Sequence, residues 1–441
     1  MGTHASFHRP NILVVLTDDH HHGAFGAAGN REVRTPAMDR LAREGARLTG
    51  CHVSSPVSTV SRAALLTGQF GFRNGCVTSG HPIAQNAPRV AELLSRYGYC
   101  TALVGKWHND QRPVHHGFDH MRNVFCGGMH DYSSIPVVQH AEDRPRELRG
   151  NPTEIFTDGA LGLLKGTLQE PYALFVCYTA PHDPRTPPPA YEAMFPPESV
   201  SLPPNFRAEP TFDPGILANR DETLLPRPLD PGAIKRECGR YYGLISHMDS
   251  QLALLVEHLE DQGQLDRTAV FVTAGTGLCL GAHGLLGKQV MYDDAVKVPL
   301  IVRGPGIRPG LTSHALVHLM DLMPTMCDVA GIQIPSSVQG RTLTPIMAGR
   351  RRAHRSAVFG YYRDLFRMVR TGHHKLIHHL KTGRHELFDL EADPHEMNDL
   401  SESGTHAPVL TALRAELDRW RREMKDPTLA AKQETGEAPE G

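Results

Sequence analysis

The sequence contains little of what membrane proteins and disulfide-rich secreted proteins require. No apolar run approaches the length of a transmembrane helix, so we expect no membrane partner. The eight cysteines are scattered without CxxC or paired spacing, and the N-terminus shows no signal peptide. We therefore expect reduced thiols and a cytoplasmic location.

Charge of neither sign is in excess. The 46 Lys and Arg residues nearly balance the 48 Asp and Glu residues, for a formal net charge of -2, which argues against nucleic acid as a partner. A composition of 40% hydrophobic and 21% charged residues is typical of a globular protein. With 441 residues, the chain suits one large α/β domain and a smaller unit. None of these features predicts the oligomeric state.

Short apolar runs alternate with helical patterns along most of the chain. Buried strands are predicted over residues 11–16, 101–104, 173–178, 269–273 and 299–302. Residues 35–50 have the pattern of a capped amphipathic helix with Gly45 near its stop, and residues 235–262 that of a long helix with one buried face. This alternation predicts an α/β fold with a mostly parallel sheet between helical layers.

The chain divides into three predicted segments. Residues 1–349 form the large α/β domain, and residues 350–425 form a smaller α+β unit. The elements predicted in this smaller unit are short strands near 357–361, 366–370 and 375–377 and a helix over 409–424. Residues 426–441 are polar and contain Gly and Pro, so we expect a disordered tail.

The stretch STVSRAALLTG, residues 58–68, places a serine and an arginine one helical turn apart. Its helix formers and the closing Gly68 predict a helix that starts near Ser58. Free backbone N–H groups and the helix dipole at such a start favour an anion. Arg62 has the geometry to bind two oxygens of a phosphate or sulfate. For this stretch taken alone, a capping or loop serine is the alternative.

Polar residues recur where the predicted strands end. Asp18 and Asp19 follow the first strand, Lys106 and His108 follow the second, and His182 follows the third. Two adjacent carboxylates are costly to bury unless they bind a cation, although aspartates also cap helices. Each residue taken singly has a structural explanation. However, ligands bind at the carboxyl edge of parallel sheets, so their convergence there favours a binding site.

Taken together, these motifs resemble the type I sulfatases of the alkaline phosphatase superfamily. The resemblance covers nearly the whole chain and follows the family's order in segments such as NILVVLTDD, PVSTVSRAALLTG, TALVGKWH, TAPHDPR, GAHGLLGK and KVPLIVRGPGI. It implies an alkaline-phosphatase-like fold. It also implies an enzyme that acts on a sulfate ester, with a small anionic molecule as its partner.

The resemblance also implies roles for individual residues. Ser58 lies where the family has the residue that is converted to formylglycine, and Arg62 is the arginine of the same motif. Asp18 and Asp19 lie on two ligands of a divalent cation, usually calcium. In the family, a hydrated aldehyde oxygen attacks the ester and a histidine assists the leaving group. The residues implied to bind substrate oxygens or to transfer protons are Lys106, His108, His182 and Lys288.

Departures from the family pattern affect the expected formylglycine and the expected divalent cation. Ser58 replaces the more usual cysteine and Val60 replaces a small Pro or Ala, which argues against formylglycine at Ser58. Gly275 and Thr276 stand where the family has an aspartate and then an asparagine or histidine. Calcium coordinates about six or more oxygen ligands, so we expect the two aspartates to bind calcium or magnesium only weakly. The histidines at 20–22 are predicted to be loop residues rather than replacement ligands.

Three functions fit these observations. The leading one is a sulfatase-like enzyme that acts on a sulfate ester, or a related sulfuryl or phosphoryl group, through an anion-binding pocket. The second is a transferase that moves a sulfuryl or sulfamoyl group to an alcohol or amine, because metal ligands are lost while anion binders are retained. The third is a non-catalytic anion-binding protein, for which Gly275 and Thr276 are the best evidence.

Overall fold

The computed structural model describes residues 9–429, so residues 1–8 and residues 430–441 of the predicted tail lie outside the described residues. The strands of the central sheet are β1 (Asn11–Thr17), β2 (Ala46–His52), β3 (Cys100–Lys106), β4 (His120–Phe125), β7 (Tyr172–Cys177), β8 (Thr268–Ala274), β9 (Leu300–Arg303) and β10 (Leu311–His318). A two-stranded ribbon consists of β5 (Ser134–Val137) and β6 (Arg146–Arg149). A second sheet consists of β11 (Ala357–Tyr362), β12 (Phe366–Thr371), β13 (His374–His379) and β14 (His385–Asp389).

Helices connect most of these strands. In the described range the α-helices are α1 (Pro36–Glu44), α2 (Ser58–Thr67), α3 (Gly71–Asn74), α4 (Val90–Arg96), α5 (Pro152–Gly166), α6 (Pro189–Glu192), α7 (Pro231–Asp261), α8 (Asp293–Val296), α9 (Leu322–Val329), α10 (Thr344–Met347) and α11 (Ala407–Glu423). Among these described helices, none combines the length and the apolar character needed to cross a membrane.

The central sheet is mostly parallel, which confirms the predicted fold class. Its strand order is β10-β2-β9-β8-β1-β7-β3-β4. Adjacent strands are parallel except where β9 runs antiparallel to β2 and to β8. The carboxyl ends of β3, β7, β1 and β8 therefore lie side by side along one edge of the sheet. Ligands bind at such an edge in open α/β folds.

Both faces of the central sheet are covered by helices, which explains why β1 is apolar without alternation. Ile12, Val14 and Leu16 belong to one core cluster, together with residues of α2, α4 and α9. Leu13 and Val15 belong to the cluster on the other face, with residues of α1, α5 and α7. Successive side chains of a strand point to opposite faces, so a strand covered on both sides needs apolar residues at every position.

The second sheet is antiparallel and packs with α11 against the larger body. Its strands follow one another in the order β11-β12-β13-β14, and β14 is a strand that the sequence pattern did not predict. Leu413, Leu417 and Trp420 of α11 belong to the same core cluster as α2. Asp426, the first residue of the predicted tail, is buried and pairs with Arg367 Nε at 2.6 Å. The prediction that the disordered tail begins at Asp426 is therefore wrong at this residue, because the ion pair with Arg367 holds it in place.

The predicted helix over residues 35–50 is wrong in its second half. α1 ends at Glu44, and the residues from Ala46 form β2 instead. Gly45 separates the two because a Cβ at this position would lie 2.1 Å from the carbonyl oxygen of Val302 in β9. The chain is thus held against the sheet at Gly45, and the following residues pair with β9 and β10.

Candidate active site

Polar side chains lie together at the carboxyl edge of the central sheet. Asp18 and Asp19 follow β1, Lys106 is the last residue of β3, His182 lies in the loop after β7, and residues 275–276 follow β8. Other predicted residues reach the same edge from α2 and from loops, and these are Ser58, Arg62, His108 and Lys288. The structure therefore brings all the predicted site residues together, although they are spread over most of the chain.

Ser58 is the first residue of α2. The preceding residue, Val57, has extended backbone, and the helix ends at Gly68 with a φ of 66°, a conformation that glycine adopts most readily. Every residue of α2 is buried. The Ser58 Oγ atom donates a hydrogen bond of 2.6 Å to Oδ1 of Asp18. The positive end of the helix dipole therefore lies at the polar edge, beside the serine hydroxyl.

Arg62 lies one turn further along α2 and is only 4% exposed. Its Nη1 atom donates to the carbonyl oxygen of Lys106 at 3.1 Å. Its Nε and Nη2 atoms are buried and have no hydrogen-bond partner among the described residues. A buried donor without an acceptor costs about 1–3 kcal/mol, more for a charged group. An anion bound next to Arg62 would remove this cost.

Asp18 is buried between two cations. Lys106 Nζ donates to its Oδ2 atom and to the carbonyl oxygen of Gly128, while Arg62 Nη2 lies 4.0 Å from Oδ1. Burial alone would raise the pKa of Asp18, but the charges of Lys106 and Arg62 outweigh burial and hold this pKa well below its ordinary value. Burial lowers the pKa of Lys106, and Asp18 opposes that shift. Asp18 is therefore an ionised carboxylate whose charge is already compensated.

Asp19 forms a second compensated pair. Lys288 Nζ lies 2.6 and 2.5 Å from its two carboxylate oxygens, and Thr276 Oγ1 donates to Oδ1 at 2.8 Å. Burial would lower the pKa of Lys288, but the charges of Asp19 and Asp221 outweigh burial and raise it. Lys288 is therefore a cation. Its Nζ atom also lies 3.1 Å from Nε2 of His182.

The two candidate histidines have different surroundings. Burial, reinforced by the charge of Lys106, lowers the pKa of His108 to about 2, so His108 is neutral near neutral pH. Its Nδ1 atom is buried without a hydrogen-bond partner in the described part of the chain. Nδ1 of His182 lies 2.8 Å from the carbonyl oxygen of Asp183, which leaves Nε2 for Lys288. With Nδ1 directed at that carbonyl, Nε2 accepts a hydrogen bond from the Lys288 ammonium group.

The donors at this edge do not fit the divalent cation that the family resemblance implies. Asp18, Asp19 and His182 form an acidic cluster whose ligand atoms lie within 4.8 Å of one another. Every carboxylate oxygen of the two aspartates, however, already accepts a hydrogen bond from a side chain. Gly275 supplies no ligand, although a Cβ built there would lie 3.3 Å from Asp18 Oδ1. The ammonium groups of Lys106 and Lys288 thus already bind the carboxylates that a cation with six or more oxygen ligands would need.

The histidines at 20–22 contact groups other than the two aspartates. Nε2 of His20 lies 3.0 Å from the carbonyl oxygen of Ala24. Nε2 of His21 lies 3.1 Å from a carboxylate oxygen of Asp294. The ring of His22 stacks on that of His21, with centroids 4.3 Å apart. That all three are loop residues rather than replacement ligands stays a prediction.

The sequence did not predict two groups that contact Asp19 and Lys288 from outside the predicted site. The Tyr241 hydroxyl donates to the backbone carbonyl of Asp19 at 2.6 Å, and Asp221 lies 3.9 Å from Lys288 Nζ. Tyr241 belongs to a helix that was predicted, but the hydrophobic pattern could not show which tyrosine reaches the sheet edge. Asp221 lies in a proline-rich region without periodicity, so no pattern singled it out.

Comparison with known families gives two matches. The model of the sulfatase family matches residues 10–332, which is more than half of the chain. A model described as N-sulphoglucosamine sulphohydrolase, C-terminal, matches residues 281–423. The two matches together cover the central sheet, the site residues and the second sheet.

Individual relatives are similar over most of this chain. The N-acetylglucosamine-6-O-sulfatase of Bacteroides thetaiotaomicron is 28% identical, with 95% of this chain and 87% of that protein covered. Human N-acetylgalactosamine-6-sulfatase is 28% identical, with 85% of this chain and 72% of that protein covered. A solved structure of a protein in complex with its substrate D-glucosamine-2-N,6-O-disulfate is 27% identical, with a TM-score of 0.84 and coverage of 95% of this chain and 98% of that chain.

Proposed function

The chain belongs to the sulfatase family, and we propose that it hydrolyses a sulfate ester at the edge where β1, β3, β7 and β8 end. The relatives are named as sulfatases, which favours hydrolysis over the transferase and the binding protein. The observation that carries the proposal is Arg62, a buried cation near Ser58 whose Nε and Nη2 atoms have no hydrogen-bond partner in the described part of the chain. A sulfate group supplies the acceptors that Arg62 lacks, and Lys106 and Lys288 add positive charge around it.

The proposed reaction uses groups already in contact. Ser58 Oγ attacks sulfur, and its proton passes to Asp18 across the 2.6 Å hydrogen bond. Because the pKa of Asp18 is held well below its ordinary value, Asp18 is a weak base and this transfer is the demanding step. As the new O–S bond forms, the bond between sulfur and the alcohol oxygen breaks. That oxygen takes the proton held between His182 and Lys288, which are 3.1 Å apart. Water then attacks sulfur and the bond between sulfur and Ser58 Oγ breaks, which releases sulfate. Ser58 Oγ takes back the proton from Asp18, and the proton lost by the water returns to the pair of His182 and Lys288.

The sequence argues against formylglycine at position 58, and this stays a prediction. Oxidation of Ser58 would supply a hydrated aldehyde oxygen at the place of the hydroxyl. The tryptic peptide of residues 48–62 would then be lighter by one hydrogen molecule. Mass spectrometry of protein taken from its native host distinguishes the two forms of the peptide.

We propose a sulfated amino sugar as the substrate. The names of two relatives specify the 6-sulfate of N-acetylglucosamine or N-acetylgalactosamine, and the structural neighbour is in complex with a sulfated glucosamine.

The proposed reaction requires neither calcium nor magnesium, because lysine and arginine side chains provide the positive charge.

Replacement of Arg62 tests the proposed function. In Arg62→Gln, the rate of sulfate release should fall about a hundredfold or more, because a donor to the transition-state oxygens is lost. The matched control is Arg73→Gln, which changes an exposed arginine on α3 and should leave the rate unchanged. Equal rates for the wild type and Arg62→Gln would contradict the proposal.

A further inference from the structure

We infer that Gly275 creates a sulfate site that works without a divalent cation, with a sulfate oxygen in the space where the family carries an aspartate side chain. The identity of the anion rests on the proposed function. Three features of the structure support such a site, namely the missing side chain at Gly275, the free donors of Arg62 and the occupied oxygens of the two aspartates.

The backbone does not require glycine at position 275. Its φ is outside the left-handed region, and its N–H donates to the carbonyl oxygen of Thr17 at 3.0 Å, so an ordinary residue could adopt this conformation. What glycine provides is the absence of a side chain, because a Cβ here would lie closer to Asp18 Oδ1 than an ordinary van der Waals contact. A Cβ at this position would lie 3.3 Å from Asp18 Oδ1 and 3.9 Å from Arg62 Nε.

The position of the missing side chain adjoins the unpartnered donors of Arg62. Nε is one of two buried Arg62 atoms without a hydrogen-bond partner in the described range. Among the atoms of Arg62, it lies nearest to the position that a Cβ of residue 275 would take. An aspartate at position 275 would place a carboxylate close to these donors. With Gly275, the donors are available to an oxygen of the substrate, and sulfate is a tetrahedral group with several oxygens to offer.

The occupied carboxylates argue against a cation at this place. A divalent ion would have to displace Lys106 from Asp18 and Lys288 from Asp19, although both ammonium groups are within hydrogen-bond distance. It would also add two positive charges next to three existing cations. Asp221 offsets part of this charge, 3.9 Å from Lys288 Nζ, but glycine at position 275 supplies no further carboxylate. With the aspartate oxygens occupied and donors of Arg62 free, this edge favours an anion over a cation.

Binding of inorganic sulfate tests the inference without any turnover. Calorimetry in the presence of a chelator should show sulfate binding to the wild type, with an affinity that chelation does not change. In Gly275→Asp, the affinity should fall at least about tenfold, because a carboxylate replaces the sulfate oxygen beside Arg62. Gly166→Asp is the matched control, since it adds the same charge where no atom lies within 4 Å of a new Cβ, and it should bind like the wild type.

Calcium provides the second arm of the test. The melting temperature of the wild type should not rise with calcium, whereas the double variant Gly275→Asp/Thr276→Asn should gain a calcium-dependent rise. If Gly275→Asp does not fold, Gly275→Ala replaces it, and a weaker sulfate affinity is again expected because the new methyl group occupies part of the space.

The inference is overturned if the wild type loses sulfate binding on chelation, if calcium stabilises the wild type, or if Gly275→Asp binds sulfate as the wild type does. Failure of the proposed function looks different, because sulfate would then bind in the presence of chelator while no sulfate ester is hydrolysed. The two claims can therefore fail separately.

Discussion

Lys106, Lys288 and Arg62 are cations buried at one place, which proteins tolerate only when the charges have partners. Each lysine has an aspartate in direct contact. Arg62 differs because the nearest carboxylate oxygen, on Asp18, is 4.0 Å from its Nη2 atom. The cost of this incomplete pairing makes Arg62 the residue that gains most from a bound anion.

The neutral state of His108 leads to a prediction about pH dependence. A group whose pKa is about 2 does not change its charge between about pH 5 and pH 9, so it cannot produce a limb of the rate profile there. In His108→Gln, kcat should fall because a polar contact to the substrate is lost, while the shape of the profile of kcat against pH stays that of the wild type.

The measurement is a pair of complete pH–rate profiles at saturating substrate. Disappearance of a limb in His108→Gln would show that His108 titrates in this range and that its surroundings do not hold it neutral. His247→Gln is a suitable control because His247 contacts Glu154 on the helices α7 and α5, and both its rate and its profile should match the wild type.

At the residue level, the sequence predicted which side chains meet but not how they are paired. The convergence of Asp18, Asp19, Lys106 and His182 followed from the rule that parallel strands end at one edge. The pairing of Lys288 with Asp19, and the free donors of Arg62, depend on side-chain positions from distant parts of the chain. No local pattern in the sequence carries that information.

Among the elements, α2 was predicted well and β2 was missed. The helix start at Ser58 and the stop at Gly68 have local causes, namely helix formers and a glycine in the left-handed conformation. β2 exists because residues 46–52 pair with β9 and β10, which are about 250 residues away. Tertiary pairing of this kind overrides a helical pattern.

The attachment of the smaller sheet to α11 gives a prediction about stability. Asp426 lies between Arg367 and Arg421, with Oδ2 at 2.6 and 3.0 Å from their Nε atoms. Burial would raise the pKa of Asp426, but the hydrogen bonds from Arg367 outweigh it and lower this pKa. In Asp426→Asn, the free energy of unfolding at neutral pH should fall by about 3–5 kcal/mol, because buried Arg367 loses its counter-ion.

The pH dependence of this effect has a definite sign. A carboxyl group with a lowered pKa in the folded state stabilises the fold above its unfolded pKa of about 3.9 and loses that contribution as the pH falls further. Urea unfolding should therefore show a difference between the wild type and Asp426→Asn that is full at pH 7 and shrinks below about pH 4. The control is Asp418→Asn, at a half-exposed partner of Arg421, and a difference as large as that for Asp426→Asn would contradict this account.

For the molecule as a whole, the fold class and the family were predictable because many separate motifs occur in the family's order. The alternation of apolar runs with helices gave the mostly parallel sheet, and the C-terminal pattern gave a smaller antiparallel sheet, as observed. The division at residue 349 stays a prediction, since residues of α11 share a core cluster with α2. Substrate identity was not predictable, because the pocket is formed by contacts between distant segments.

Hydrolysis at this edge is tested by the release of inorganic sulfate from a 6-sulfated amino sugar, measured in a chelating buffer with and without an added alcohol acceptor. The wild type should release sulfate into water at the same rate in both mixtures, and Ser58→Ala should release none. Product formed only when the acceptor is present would indicate a transferase. No product in either mixture, in a protein that still binds sulfate, would contradict the assignment of this edge as the site of sulfate ester hydrolysis.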